Sequence, residues 1–240
     1  MSLGPVDYVN GITSIIYFIV SIIIAFIIMS KYFKYKTTSF LFVGFSTIGL
    51  VWPYLATIVS FLMMVFTLNP LPDSAYYIIG NILLPITTST WIYAVIKLSH
   101  EGKEKIIVPI VFIFMVLLAI IYTILVFSRP DLIGEKLGII DVKYIGFGLF
   151  YLIIALSFVW IGLIILLKDL IHSSAPDLKL KGIFLLFGLL TYTVASIFDG
   201  FLNLEIPFLL LMRILLMISS FEMYIGWLLP KSVKKLFLRK

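Results

Sequence analysis

Seven apolar runs, each long enough to cross the roughly 30 Å hydrocarbon core of a bilayer, limit what this chain can become. They cover residues 11–29, 38–67, 75–97, 106–127, 144–167, 182–203 and 207–229. With 62% hydrophobic and only 12% charged residues and a mean hydropathy of +1.18, a water-soluble globule would lack the polar surface to cover itself. Lipid offers no hydrogen bonds to an open sheet edge, and the runs lack the alternation of a barrel strand, so helices are the spanning element. The chain therefore reads as an all-α membrane protein, a single seven-transmembrane-helix bundle over residues 1–240 with the lipid bilayer as its surroundings. Span two is too long to stand straight and carries Pro53 at its middle, which predicts a kink or tilt, and Pro85 predicts a bend in span three.

The charges give an orientation. Assigned alternately, one set of ends collects Lys31, Lys34 and Lys36; Lys97, Lys103 and Lys105; Lys168, Lys179 and Lys181; and Lys231, Lys234, Lys235, Arg239 and Lys240, which is fourteen of the eighteen basic residues. The opposite ends hold Arg129, Lys136 and Lys143. By the positive-inside rule the rich side is cytoplasmic, which places the N-terminus outside and the C-terminus in the cytoplasm of a multi-pass cell-membrane protein. This distribution also accounts for the net charge of +6 without nucleic acid. The first run has no basic segment before it, so it is expected to be an uncleaved span and not a signal peptide. The longest outer connection, Ser128 to Lys143, is balanced in charge and placed to cap an outer cavity.

Ionisable groups inside a bilayer are costly and need a partner, a wet cavity or a function. Three fall inside the runs: Asp199, Arg213 and Glu222. Asp199 lies near the outer end of span six and Arg213 less than two turns below the same surface on span seven, so the two are expected to pair. Gly188, Tyr192, Ser196, Asp199 and Asn203 recur at helical spacing and form one inward stripe. Arg213, Met217, Ser220 and Tyr224 form the matching stripe on span seven. Such a pair either pins two helices together or serves a ligand site, and both readings stay open.

Glu222, nine residues after Arg213, falls on the opposite helix face about 13 Å along the axis. The polar stripe Asn10, Ser14, Tyr17 and Ser21 of span one is expected to pack against it. Glu222 reads as a switch or proton-binding group, or as a carboxyl hydrogen-bonded between helices. Two further stripes, Ser46, Gly49, Pro53, Thr57 and Ser60 on span two and Tyr77, Asn81, Pro85 and Thr88 on span three, point to close helix packing. Asn81 is kept as a ligand-cavity candidate beside Asp199, Arg213, Glu222, Tyr192, Ser196 and Asn203. Span four is nearly all apolar and is expected to face lipid.

No catalytic residue is expected. The chain has no cysteine, and its two histidines, His100 and His172, are expected in loops, which argues against a metal or haem site. Span seven has no lysine for a retinal Schiff base, so no cofactor is expected. The Asp-Arg-Tyr and Asn-Pro-x-x-Tyr motifs of G-protein-coupled receptors are missing, as are H-E-x-x-H, G-x-S-x-G and a phosphate-binding glycine loop.

The end of span seven, Phe221-Glu-Met-Tyr-Ile-Gly-Trp-Leu-Leu-Pro230 followed by Lys-Ser-Val-Lys-Lys-Leu-Phe237, resembles the exit from the seven-helix sensor regions that precede transmitter domains in some prokaryotic membrane histidine kinases. Size and orientation are similar over the whole chain. The resemblance implies a sensor; because the sequence reaches Lys240 with no dimerisation helix or ATP-binding domain, signalling would pass to a separate cytoplasmic protein. No functional residue carries over. The function expected is thus a receptor-like or sensor-like membrane protein with a small or lipidic ligand in an outer cavity between spans three, six and seven. The alternatives are a channel, transporter or proton-handling protein, and a structural or accessory subunit.

Overall fold

The apolar runs are helices in the computed structural model, which describes residues 3–201 and 205–238. In chain order these are α1 (Pro5–Tyr35), α2 (Ser39–Val51), α3 (Pro53–Thr67), α4 (Asp73–Asn81), α5 (Leu84–Ser99), α6 (Glu104–Ser128), α7 (Gly146–His172), α8 (Pro176–Phe201), α9 (Ile206–Leu228) and the short α10 (Lys231–Phe237). Among the described residues, six helices are long and apolar enough to cross a membrane, the α4–α5 pair counting as one, and the bent pair α2–α3 makes up to seven if it is one span. The architecture is that of a helical membrane bundle.

The bend predicted at Pro53 is present, whereas span three is interrupted without a comparable bend, and proline chemistry accounts for both. Pro53 lacks an N–H and its ring crowds the carbonyl one turn back, and the chain turns by 48° between α2 and α3. In span three the break falls at Ile82 and Leu83, just before Pro85, so that α4 and α5 share one line with a lost turn between them. The helices exceed the apolar runs at most of their ends. His100 follows α5 as expected, whereas His172 is the last residue of α7 instead of lying in a loop.

The helices form a ring in the order α1, α9, α8, α7, α5, α2, closed by α2 on α1. α6 lies outside this ring, packed on α5, and Ile106, Ile113, Leu117 and Ile124 each expose more than half their surface. That matches the lipid-facing role expected of span four. The close approaches in the ring rest on small residues. A Cβ on Gly226 would meet the Leu185 backbone nitrogen at 2.9 Å, and one on Gly188 the Met223 backbone nitrogen at 3.0 Å. Trp91 and Trp227 are buried in the core and meet edge to face at 6.0 Å, with the Trp91 indole donating to the Val159 carbonyl at 3.0 Å.

The connection between α6 and α7 holds more structure than the sequence suggested. A 3-10 turn at Pro130–Leu132 leads into an antiparallel hairpin of β1 (Gly134–Lys136) and β2 (Val142–Tyr144). Ile133, Ile140 and Val142 are buried beneath it. Its seat on α7 needs glycine: Gly146 has φ +47°, and a Cβ there would lie 2.7 Å from the Leu132 carbonyl oxygen. The Ser60 hydroxyl donates to the Ile139 carbonyl at 3.2 Å, and the Lys136 ammonium pairs with Asp73 at 2.5 Å. The hairpin is therefore tied to α3, α4 and α7 and covers one end of the bundle. At the lysine-rich end α10 folds back on the start of α8, where Lys234 pairs with Asp177 and Phe237 meets Phe184 edge to face.

Candidate functional site

Beneath the hairpin lies a cavity of about 320 Å³, walled by α2, α3, α4, α5, α7 and α8, with Arg213 of α9 reaching into it. Its lining is mainly apolar, with a few convergent polar groups, which is the usual form of a small-molecule site. Its charged groups are Asp199 and Arg213 and Asp141 from the hairpin; Tyr54 of α3, the hydrogen-bonded pair Thr57 and Tyr76, and Thr87, Thr88, Tyr144, Tyr192 and Ser196 add polar atoms.

Arg213 is the most constrained of these, with 2% of its surface exposed. Its Nη1 donates to Asp199 Oδ2 at 2.7 Å, the partner expected from helical spacing. Its Nη2 donates to Asn10 Oδ1 of α1 at 2.6 Å, and the guanidinium stacks over the Tyr54 ring at 4.6 Å. Tyr54 is in turn held edge-on by Tyr17 at 5.0 Å. Nε of Arg213 has no hydrogen-bond partner among the described residues.

Asp141 is the second acid of the cavity, half-buried at its roof. Burial raises its carboxyl well above the ordinary value, to about 6, and the neighbouring Asp199 charge adds to the rise. Arg213 and the Val142 N–H, which donates to Asp141 Oδ1 at 2.9 Å, act in the opposite sense. Asp141 Oδ2 and Asp199 Oδ1 accept no hydrogen bond among the described residues, so each has capacity for a donor.

The candidate residues divide into those at the cavity and those away from it. Asp199, Arg213, Tyr192 and Ser196 line it, and the Tyr192 hydroxyl donates to the Leu50 carbonyl at 2.9 Å. Asn81 stands one layer behind the wall. Its Nδ2 is within hydrogen-bond distance of the hydroxyls of Tyr144, a lining residue, and Tyr122, at 2.8 and 2.9 Å, and of the Tyr77 carbonyl at 3.1 Å. An amide nitrogen carries two protons, so at most two of these are served at once. Asn203 lies outside the described residues.

Glu222 is not part of the cavity, and the span-one stripe does not serve it. Asn10 bonds Arg213 and Ser21 bonds Ser220 at 2.9 Å, so that stripe packs on the Arg213 face of α9. Glu222 is half-buried with its Oε2 unpartnered among the described residues. Between α1, α2, α8 and α9 a second chamber of about 20 Å³, lined by Tyr17, Ser21, Thr47 and Ser220, is large enough for one water.

Sequence reasoning missed the fifth span and part of the second. α7 supplies Leu149, Leu152, Ile153, Leu156 and Val159 to the cavity, yet it is so uniformly apolar that no residue marks an inward face. Gly49, Pro53 and Thr57, read as packing residues, line the cavity as well. Asp141 carried no signal beyond its place in the longest outer connection. The chain matches no family model and no curated protein.

Proposed function

We propose that this chain is a receptor-like or sensor-like membrane protein of the cell envelope. The hairpin end faces outward, the lysine-rich end faces the cytoplasm, and the covered cavity binds a small or lipidic ligand. The observation that carries the reading is the cavity itself: an apolar chamber of about 320 Å³ whose polar groups converge on an ion pair between two adjoining helices. A ligand that draws on Asp199 alters the partner of Arg213, and Arg213 also holds α1 through Asn10. The α8–α9 pair then passes the change toward α10 and a separate cytoplasmic protein. No covalent chemistry is assigned to the site. Solvent extraction of purified protein followed by mass spectrometry tests the reading. A molecule retained by the wild type and lost when Ser196→Trp fills the cavity is expected; extracts that match those of an unrelated membrane protein would remove its support.

One observation favours a second reading, ion or proton handling: the unpartnered, buried Oε2 of Glu222. Proton flux in proteoliposomes that is abolished by Glu222→Gln and indifferent to Ser196→Trp would select that reading over the receptor.

A further inference from the structure

The wall of the cavity is incomplete between α7 and α8. Ile153 and Ile197 both line the chamber, yet they are 51% and 45% exposed on the outside of the bundle, so the same residues border the interior and the surroundings. A Cβ placed on Gly200, another lining residue, would meet nothing within 4 Å among the described residues. The seam is closed further along, where the Trp160 indole donates to the Thr193 hydroxyl at 3.0 Å. Above that bond a slot framed by Ile153, Leu156, Ile197 and Gly200 faces the side of the bundle, while the hairpin covers its end. For a bundle set in lipid, the slot opens into the bilayer.

The charge beneath the hairpin selects the head of an occupant. Two carboxylates, Asp141 and Asp199, face one guanidinium, and that guanidinium is already committed to Asp199, Asn10 and the Tyr54 ring. One negative charge is left over, and one oxygen of each acid accepts no hydrogen bond among the described residues. An anionic head would meet like charge at Asp141 and an arginine whose two terminal nitrogens already serve Asp199 and Asn10, whereas an ammonium supplies both the positive charge and the donors. The volume, near the lower limit of about 300–1,000 Å³ for small-molecule sites, suits one chain better than two.

We propose that the cavity takes a single-chain amphiphile with a protonated amine head, loaded sideways from the bilayer through the slot between α7 and α8. The ammonium sits between Asp141 and Asp199, and the chain runs along Leu152 and Leu156 and out past Gly200. This assignment rests on the receptor reading above and supplies its ligand class.

The test uses the full chain in phosphatidylcholine nanodiscs, whose lipid has no net charge, titrated with dodecylamine, dodecanoate and dodecanol and read by native mass spectrometry and melting temperature. Dodecylamine is expected to bind saturably at one equivalent and more tightly than the other two. Asp141→Asn should weaken it by about tenfold or more, the worth of one ion pair of roughly 1.4 kcal/mol, while Asp131→Asn on the same connection changes nothing. Gly200→Trp, projecting into open space, should slow loading severalfold, and Gly200→Ala should not. Tighter binding of dodecanoate or dodecanol, or amine binding indifferent to Asp141→Asn, would overturn the amine head and leave the ligand cavity standing. Amine loading unchanged by Gly200→Trp would overturn the lateral route alone. Saturable binding of none of the three would remove both this assignment and the lipidic form of the receptor reading.

Discussion

Arg213 donates to Asn10 across 203 positions of sequence, at 2.6 Å, and thereby joins the last membrane helix to the first beside the cavity. The same guanidinium holds Asp199 of α8, so one buried cation ties three helices that adjoin in the ring. A charge in this setting is tolerated because an ion pair, a second charge-assisted hydrogen bond and the Tyr54 ring offset its burial, and removing it strands a carboxylate.

Arg213→Met is therefore expected to destabilise the bundle by about 3 kcal/mol, in the range for breaking a buried pair by deleting one partner. Asn10→Ala, which removes one charge-assisted bond, should cost about 1–2 kcal/mol. Asp199→Asn combined with Arg213→Met should cost less than Arg213→Met alone, because the carboxylate that paired with Arg213 is then neutral as well. Thermal unfolding of the four proteins in one detergent checks this. Equal loss in the double and single variants would mean that the pair contributes packing and not charge compensation.

How much of this site was readable in advance follows from the period of each feature. The Asp199–Arg213 pair was legible because its members sit on consecutive helices at nearly equal depth, so that depth and adjacency both follow from sequence distance. Asn10 was legible as one member of an inward polar stripe, but its partner was misassigned to Glu222. The error arose because helical spacing gives the face a residue occupies, not which of two faces of α9 that stripe meets. Asp141 was hidden for a different reason. Its position depends on a hairpin seated by Gly146 and covering Ile133 and Ile140, and a two-stranded turn in a charged connection has no strong periodic signature. The bend at Pro53 and the break before Pro85 were readable since proline acts locally.

The tightest helix contacts give a prediction about size. Gly226→Val would place a side chain against Leu185 of α8, including its backbone nitrogen at 2.9 Å from the new Cβ, and backbone cannot swing aside. It is expected to cost about 2–3 kcal/mol, the upper part of the range for overpacking. Gly200→Ala is the counterpart in the same helix pair, with nothing among the described residues within 4 Å of the added methyl. It should be neutral or stabilising by about 0.5 kcal/mol through helix propensity. Melting temperatures of the two variants moving in the same direction would show that these contacts do not govern the α8–α9 seam.

Behind the cavity wall, Asn81 joins α4 to α6 through Tyr122 and to the hairpin through Tyr144. Asn81→Leu takes the amide donor from the half-buried Tyr144 hydroxyl and leaves the buried Tyr122 hydroxyl its bond to the Tyr77 carbonyl at 3.2 Å, and a loss of about 2 kcal/mol is expected. Tyr144→Phe should cost about 1 kcal/mol. In the double variant the second change should add less than its separate effect, with a coupling of about 0.5–1.5 kcal/mol in a double-mutant cycle. Strict additivity would mean that the amide and the hydroxyl do not act together. Amide exchange in β1 and β2 gives a second reading, since loosening the Tyr144 anchor should speed exchange there first.

The raised carboxyl of Asp141 makes stability depend on pH in a definite direction. Its folded-state value of about 6 lies above the ordinary 3.8, so between these values the folded chain binds the proton more strongly than the unfolded one. Stability contributed by this group is then greatest below about pH 4, declines as pH rises through 6, and is level above that. At pH 7.5 the native protein carries an ionised acid whose charge is opposed by burial and by Asp199, and only partly relieved by Arg213. Asp141→Asn removes that opposition and should stabilise the empty protein at pH 7.5 by about 1–2 kcal/mol, after allowance for partial exposure. The gain should shrink toward zero as pH falls from 6 to 4, because the wild-type acid becomes neutral as well. Melting curves of wild type and variant across pH 4–8 measure the difference directly. A gain that is independent of pH, or one that grows toward acid, would place the Asp141 carboxyl in a solvated setting and not at the roof of a closed chamber.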